Sequence, residues 1–414
     1  MTADIITIGD ELMIGQVVDT NSAYMALRLR MAGFEVGRMI SIPDNGKAIA
    51  STVEASLREA DMVITTGGLG PTKDDITKET LMRVFGGSLI RNEEVMANIK
   101  TIVERRGINL NPLTANQCLV PSSCRVLPNR FGTAPVMWFE KNGKILVSLP
   151  GVPFEMQGCF DGEVLPALLS RLQSDRQFYC RTFILSGITE SDLSIRLSEF
   201  EEGLDRRFHL AYLPQFGLLR LRLDGAGAKG DSTATVFRKL CSELKCLTAD
   251  FLLADDDLKP AEILLKQLER SRLTLSTAES CTGGAIASAI TACPGSSRSF
   301  KGSVVAYSNE VKHNVLGVAN DLLDKYGAVS QPVAEAMAKG VSGVCLSDCS
   351  ISTSGIAGPD GGTPEKPVGT VCIAIKIFDT IISHRYHFSG DRRQIVQRAV
   401  NTAIVMLIQN LKNN

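Results

Sequence analysis

Residues 272–277 (Arg-Leu-Thr-Leu-Ser-Thr) alternate in the manner of a strand, and residues 285–292 have the small-residue composition of a helix. Between them lies Ala278-Glu279-Ser280-Cys281-Thr282-Gly283-Gly284, so the strand must pass into the helix through a short, glycine-opened turn. A junction of that kind points to an α/β layer fold, in which ligands gather at strand exits. Ser280 stands at such an exit, and the amides of Gly283 and Gly284 face the same space. Free N–H groups at a helix start suit a phosphate or a developing oxyanion. A serine at this place equally suits a plain helix cap.

The chain has 414 residues, too many for one core, and two or three domains are expected. Strands at 4–8, 34–41 and 61–66 alternate with helices at 21–32 and 47–59. That βαβαβ order predicts a mostly parallel sheet covered on both faces. Strands at 177–186 and 210–223 with helices at 189–201 and 232–247 read as a compact α+β segment. Asp255-Asp256-Asp257, just before Pro260, reads as a linker, and a helix at 261–269 opens a third unit. The expected division is 1–170, 171–255 and 256–414. Gly225-Ala226-Gly227-Ala228-Lys229-Gly230 matches GxGxxG, but the acidic residue a dinucleotide site would need, Glu243, falls inside a predicted helix. The run therefore reads as a mobile turn.

A formal net charge of -1 offers no basic field, so nucleic acid is not an expected partner. No apolar run approaches the roughly 20 residues of a bilayer span, and the opening residues read as a strand rather than a signal peptide. The eleven cysteines include no pair spaced as a zinc knuckle or CxxC, which suits reduced thiols in a cytoplasmic protein. Cys281 ranks below Ser280 as a nucleophile.

A second constellation follows the strand at 61–66: Gly67-Gly68-Leu69-Gly70-Pro71-Thr72-Lys73-Asp74-Asp75. Gly67, Gly68 and Gly70 let backbone approach a ligand closely, with Thr72 beside them, and the loop follows a strand C-terminus. Asp74 and Asp75 offer hard oxygen ligands for Mg²⁺ bridging phosphates; equally, they suit the start of a helix at 77–85. Asp10, within Gly9-Asp10-Glu11-Leu12 at the first strand's end, falls on the same edge, as do Asp19-Thr20-Asn21 and Asp44-Asn45.

Taken together these motifs resemble the CinA family. Gly9-Asp10-Glu11-Leu12, Asp19-Thr20-Asn21, Thr66–Thr72, Gly132-Thr133-Ala134-Pro135 and Leu149-Pro150-Gly151-Val152-Pro153 resemble its N-terminal half. Glu279–Gly284, Gly355-Ile356-Ala357-Gly358-Pro359 and Gly390-Asp391-Arg392 resemble its C-terminal half. The resemblance runs in order over essentially the whole chain. It implies an α/β protein with a molybdopterin-binding-like N-terminal domain, a KH-like α+β middle domain and a C-terminal amidohydrolase domain. The implied activity is deamidation of nicotinamide mononucleotide (NMN) by a Ser/Lys pair needing no cofactor. In some members the N-terminal domain cleaves ADP-ribose with a divalent metal such as Mg²⁺. Where many relatives carry Lys-Gln-Ala this chain has Asn116-Gln117-Cys118, which removes a candidate phosphate contact. Val136 replaces a glycine, Ser354 a threonine and Asp360 a glycine. Two other readings stand beside this one: an N-terminal module that only binds a pterin or nucleotide, and a scaffold in competence or DNA-damage response.

The family's Ser/Lys positions match Ser280 and Lys312. Residues 303–307 read as a strand and 309–316 as a helix, which puts Tyr307 at a strand exit and Lys312 one turn into the helix. If the strands are parallel, Lys312 reaches Ser280; a lysine whose pKa is depressed can take the serine proton. Tyr307 is the expected assisting or orienting hydroxyl. Gly283, Gly284 and Ser297 are candidates to hold oxyanion or phosphate, with Ser354 and Gly355 ending another strand. Arg392 is a candidate phosphate ligand, or else a helix-start arginine paired with Asp391. The loop 358–367 suits a lid, and His313 is expected to face away. A homodimer acting on small-molecule substrates, away from membranes, is the expected form.

Overall fold

In the computed structural model the described residues are 1–72, 75–172 and 175–411. They form two compact units, Met1–Tyr179 with Ala226–Thr233, and Cys180–Gly225 with Ala234–Asn414.

The first unit is built on strands β1 (Thr2–Ile8), β2 (Glu35–Ile42) and β3 (Met62–Thr66). A short pair follows, β4 (Leu89–Arg91) with β5 (Leu119–Pro121), and then β6 (Arg125–Leu127), β7 (Val136–Lys141) and β8 (Lys144–Leu149). The main sheet has the order β2-β1-β3-β8-β7-β6. Its first four strands are parallel, β7 pairs antiparallel with β8, and β6 pairs antiparallel with β7. Every residue of β3 is buried, which explains its unbroken Met-Val-Ile-Thr-Thr sequence: both faces are covered. On one face Ala3, Ile5, Met62 and Ile64 pack with Met25 and Leu29 of helix Asn21–Met31. On the other, Ile6, Ile8 and Val63 pack with Ile49 and Val53 of helix Gly46–Glu59. Burying each of the Ile, Val, Leu and Met side chains among these contributes about 1.5–3 kcal/mol. Asn45 fixes the start of that second helix, accepting from the amides of Lys47 and Ala48.

The α+β segment runs β9 (Arg176–Leu185), helices Glu190–Arg196 and Ser198–Glu202, β10 (Phe208–Gln215), β11 (Leu218–Ala228), helix Thr233–Leu247 and β12 (Leu252–Ala254). Its sheet has the order β10-β11-β9-β12. The single strand expected over 210–223 is instead a hairpin. The chain reverses at Phe216-Gly217, where Gly217 has φ +76, a conformation that costs glycine little. The glycine run expected as a turn is mostly strand, since β11 continues to Ala228.

The C-terminal sheet contains β13 (Leu275–Glu279), β14 (Phe300–Val305), β15 (Cys349–Gly355), β16 (Thr370–Ile377) and β17 (Thr380–His387) in the order β14-β13-β15-β16-β17. β14, β13 and β15 are parallel, while β16 pairs antiparallel with β15 and β17 antiparallel with β16. Helix Gln331–Cys345 lies close against one face because it presents Ala334 and Ala338. Ser352 and Ser350 of β15 donate directly to those residues' carbonyls, at 2.5 and 2.7 Å. Helices Pro260–Ser271 and Arg392–Leu411 share a core with the sheet, and Ile184, Leu218 and Leu253 of the α+β segment join it. Among the described residues no helix is long and apolar enough to cross a membrane.

Candidate active site

β13 begins at Leu275, three residues later than the sequence pattern suggests, because Arg272 takes a left-handed conformation (φ 56) that closes the preceding helix. The strand still delivers Ser280 to its carboxyl edge, where the Ser280 amide donates to the Thr353 carbonyl of β15 at 3.0 Å. The adjacent strand β14 ends at Val305, and the helix Asn309–Asn314 starts on the Ser308 hydroxyl, which accepts from the Val311 amide. One turn in, Lys312 points back beneath the sheet edge and is only 1% exposed.

The Lys312 Nζ lies 3.1 Å from Ser280 Oγ, 2.9 Å from the Ala306 carbonyl and 3.3 Å from the Tyr307 carbonyl. Burial lowers the lysine pKa. A neutral amine has two N–H donors and one lone pair. The two carbonyls take the donors, which leaves the lone pair for the Ser280 hydroxyl to donate into. Parallel pairing of β13 and β14 brings these residues together as anticipated. His313 faces elsewhere, its Nδ1 at 2.8 Å from the Val318 carbonyl.

Cys281 is the neighbour that does not compete. Burial pushes its thiol up to about 12, so it stays a neutral thiol at ordinary pH. Gly355 is close by; a Cβ built there would come within 3.0 Å of the Cys281 sulfur.

Glu279 changes the expected role of the two glycines. Its fully buried carboxylate accepts from the amides of Gly284 (3.0 Å), Ile286 (3.0 Å) and Ala287 (2.8 Å), and from the Thr282 hydroxyl (2.7 Å). The Gly283 amide donates to the Ser280 carbonyl. The donors expected to meet an oxyanion or phosphate are therefore committed inside the protein. The Cys281 amide bonds its own thiol, and among the described residues the Thr282 amide is the one in this turn with no partner seen. The sequence held a signal for this: an acidic residue just ahead of a helix start favours free amides.

Other expected site residues fall in three groups. Arg392 does not pair with Asp391, which instead caps the helix by accepting from the Gln394 amide. Its guanidinium donates to the Gly358 carbonyl at 2.8 Å and to the Tyr307 hydroxyl at 3.1 Å. Tyr307 thus touches Lys312 through its backbone, while its 62% exposed side chain reaches outward to Arg392 rather than to Ser280. Ser354 is buried and donates to the Ala328 carbonyl at 2.6 Å, a packing role. Ser297 is misplaced by the sequence reading. It precedes β14, and because β14 is parallel to β13 its start lies at the sheet edge opposite Ser280.

In the N-terminal unit, a cleft of about 440 Å³ opens at the carboxyl edge of β1 and β3. Asp10, Glu11, Asp19, Asn21, Asp44, Gly67, Gly68, Gly70 and Asp75 line it. Gly67 (φ +110) is needed because a Cβ there would land on the Ile8 carbonyl oxygen, so this glycine makes room for the protein's own backbone. The Gly67 amide donates to Leu149 and the Gly70 amide to Asp75, leaving Gly68 as the glycine of the three whose amide has no partner among the described residues.

Asp75 binds the loop, not open space: its oxygens accept from the Gly70 and Thr72 amides and the Thr72 hydroxyl. Asp74 lies outside the described residues. Asp10 Oδ1 accepts from the Asp44 amide, and both Asp19 oxygens accept from Ser22. Among the described residues no three His, Cys, Asp or Glu side chains are grouped to hold a metal. These donors do not build a closed cage. Asp10 and Asp44 are the carboxylates of the cleft that could meet a cation brought in with a phosphate-bearing ligand.

The chain matches two family models, "CinA C-terminal domain" over residues 257–411 and "Probable molybdopterin binding domain" over residues 4–170. A CinA-like protein from Flavobacterium psychrophilum is 41% identical, covering 100% of this chain and 99% of its own length. One from Geobacter metallireducens is 36% identical over 99% of each. Among solved structures, a competence or damage-inducible protein from Enterobacter asburiae is 34% identical, with 37% of this chain and 96% of that one covered and a TM-score of 0.36. With full-length relatives at this identity, and with both halves matched in order, the chain belongs to the CinA family and carries a molybdopterin-binding-like domain ahead of its CinA C-terminal domain.

Proposed function

We propose that the C-terminal domain hydrolyses NMN to nicotinate mononucleotide and ammonia. The observation that carries this reading is the buried Lys312 Nζ, held 3.1 Å from Ser280 Oγ with its pKa lowered by burial. Ser280 Oγ attacks the carboxamide carbon while its proton passes to Lys312 Nζ. The C–N bond then breaks and Lys312 returns that proton to the departing nitrogen, releasing ammonia. Water attacks the acyl-enzyme, giving its proton to Lys312, and the serine leaves reprotonated. The Thr282 amide is the uncommitted donor for the oxyanion, with the Cys281 amide beside it held only by its own thiol. Arg392 is the cation for the substrate phosphate, exchanging its Tyr307 contact for phosphate oxygens. No step calls for a metal or cofactor. Ammonia release from NMN by purified protein tests the reading; wild type without turnover, or a Ser280→Ala variant with undiminished turnover, overturns it.

For the N-terminal domain we propose metal-assisted cleavage of ADP-ribose, on the strength of the carboxylate-lined cleft beside the Gly68 amide. Mg²⁺ would supply charge neutralisation on the pyrophosphate. Asp10 would orient it, and the loop held by Asp75 would position the phosphates. Binding of ADP-ribose without turnover in the presence of Mg²⁺ would reduce this domain to a binding module.

A further inference from the structure

Helix Arg392–Leu411 has two attachments of different kinds. At its first residue, Arg392 spans the Gly358 carbonyl and the hydroxyl of Tyr307, the residue whose own carbonyl meets Lys312 Nζ. Two turns further on, the same helix is gripped by the β10–β11 hairpin of the α+β segment. The Asn401 side chain donates to the Phe216 carbonyl at 2.8 Å, and the Arg398 guanidinium lies over the Phe216 ring, 5.1 Å from its centroid. Gln397 Nε2 donates to Asn401 Oδ1 at 3.2 Å and orients that amide. Phe216 remains 37% exposed, so its ring contributes little burial of its own.

We infer that Phe216 is a positioning residue for the deamidase: the hairpin tip sets the tilt of helix Arg392–Leu411 and thereby the place of the Arg392 guanidinium. This inference rests on the reading of Arg392 as the phosphate ligand. The geometry permits the transfer because an α-helix rises about 1.5 Å per residue and bends little over two turns. The grip at 398–401 therefore acts on residue 392 through one rigid rod. Among the described residues the polar and ring contacts of Phe216 at the hairpin tip go to this helix and none to the Ser280 turn, so its loss should affect phosphate recognition and leave the reacting atoms in place. The α+β segment thereby contributes to substrate affinity at a site built from the C-terminal sheet.

The test is Phe216→Ala in the full chain, with Phe216→Tyr as the conservative variant and nicotinamide riboside, which lacks the phosphate, as second substrate. The expected result is a rise of about fivefold in KM for NMN, the order of a lost cation–π contact, with kcat within twofold. The riboside should be turned over unchanged, and Phe216→Tyr should restore the NMN value. Hydrogen exchange, which requires no turnover, should quicken at residues 391–395 in Phe216→Ala while 403–408 stay protected. Unchanged KM with unchanged exchange at 391–395 overturns the inference, as does an equal loss on both substrates. Wild type inactive on NMN but with quickened exchange in the variant would instead refute the assigned activity while keeping the mechanical link.

Discussion

Replacing Lys312 by Met keeps the length and most of the volume of the side chain while deleting the base. The consequence follows from the oxygens around Nζ. At 3.1 Å the Ser280 hydroxyl is within proton-transfer range, and no other titratable side chain is seen bonded to it among the described residues. A positioned base contributes typically 10²–10⁴ in rate. Nucleophile and base act as a unit, so Lys312→Met and Ser280→Ala should each cost about 10³–10⁴, with little further loss in the double variant. Lys312→Arg should not rescue, since a guanidinium stays protonated. The pH dependence has a definite sign. The folded-state pKa is lowered, and the neutral amine is the active form, so wild-type kcat/KM should rise with pH through that depressed value. Stability runs the same way: between the folded pKa and the unfolded value of about 10.4, the unfolded chain holds a proton that the folded chain does not. Wild-type stability relative to Lys312→Met should therefore fall as pH drops across that window and level off below it. Ammonia release and thermal melting from pH 6 to 10 measure both effects. A Lys312→Met enzyme within tenfold of wild-type kcat would refute the assignment.

Glu279→Gln should destabilise the C-terminal domain by about 2–4 kcal/mol, because a carboxamide turns one N–H donor group toward the amides it should accept from; an unchanged urea midpoint contradicts this. EDTA should abolish ADP-ribose cleavage and spare NMN deamidation; equal loss of both means the sites are misassigned. Iodoacetamide at pH 8 should label exposed Cys180 and Cys246 in the native protein and leave Cys281 unmodified, as mass spectrometry of tryptic peptides would show.

The parts of the site legible in the sequence are those fixed by strand direction. Ser280 and Lys312 each follow a parallel strand, and a separation of one strand–helix–strand unit puts both at the same sheet edge. The same rule, applied to Ser297, would have excluded it, since it precedes its strand. The roles of Gly283 and Gly284 were only half legible: an acidic residue ahead of a helix start is a signal, but which amides it takes depends on where one side chain turns. Glu279 is visible in the motif, but periodicity gives no sign that its carboxylate folds forward onto the helix start. Asp75 is a similar case, reading as a metal ligand until its oxygens are found on the Gly70 and Thr72 amides. The hairpin at Phe216-Gly217 was hidden for another reason. It lacks the Asn-Gly or Asp-Gly pair that marks a tight turn, and the apolar residues on either side continue the strand pattern across it.

The partnership of Glu279 with the helix start also bears on how Lys312 is tuned. A lysine can be made neutral by a nearby positive charge or by removal from water. The start of helix Ala285–Thr291 would have supplied positive potential, but the Glu279 carboxylate accepts its amides and cancels it. Arg392 is turned to the Tyr307 hydroxyl and the Gly358 carbonyl rather than to Lys312. What remains is desolvation, and the surroundings suit it: Ala278, Ala306, Leu316 and Val318 form a buried apolar cluster around the strand exits. The lysine's basicity therefore depends on the dryness of this corner rather than on a charge that salt could screen. Raising ionic strength should weaken NMN binding through Arg392 while leaving the pH midpoint of kcat in place. Enlarging the corner with Leu316→Ala should do the reverse, admitting water and moving that midpoint upward toward the ordinary lysine value.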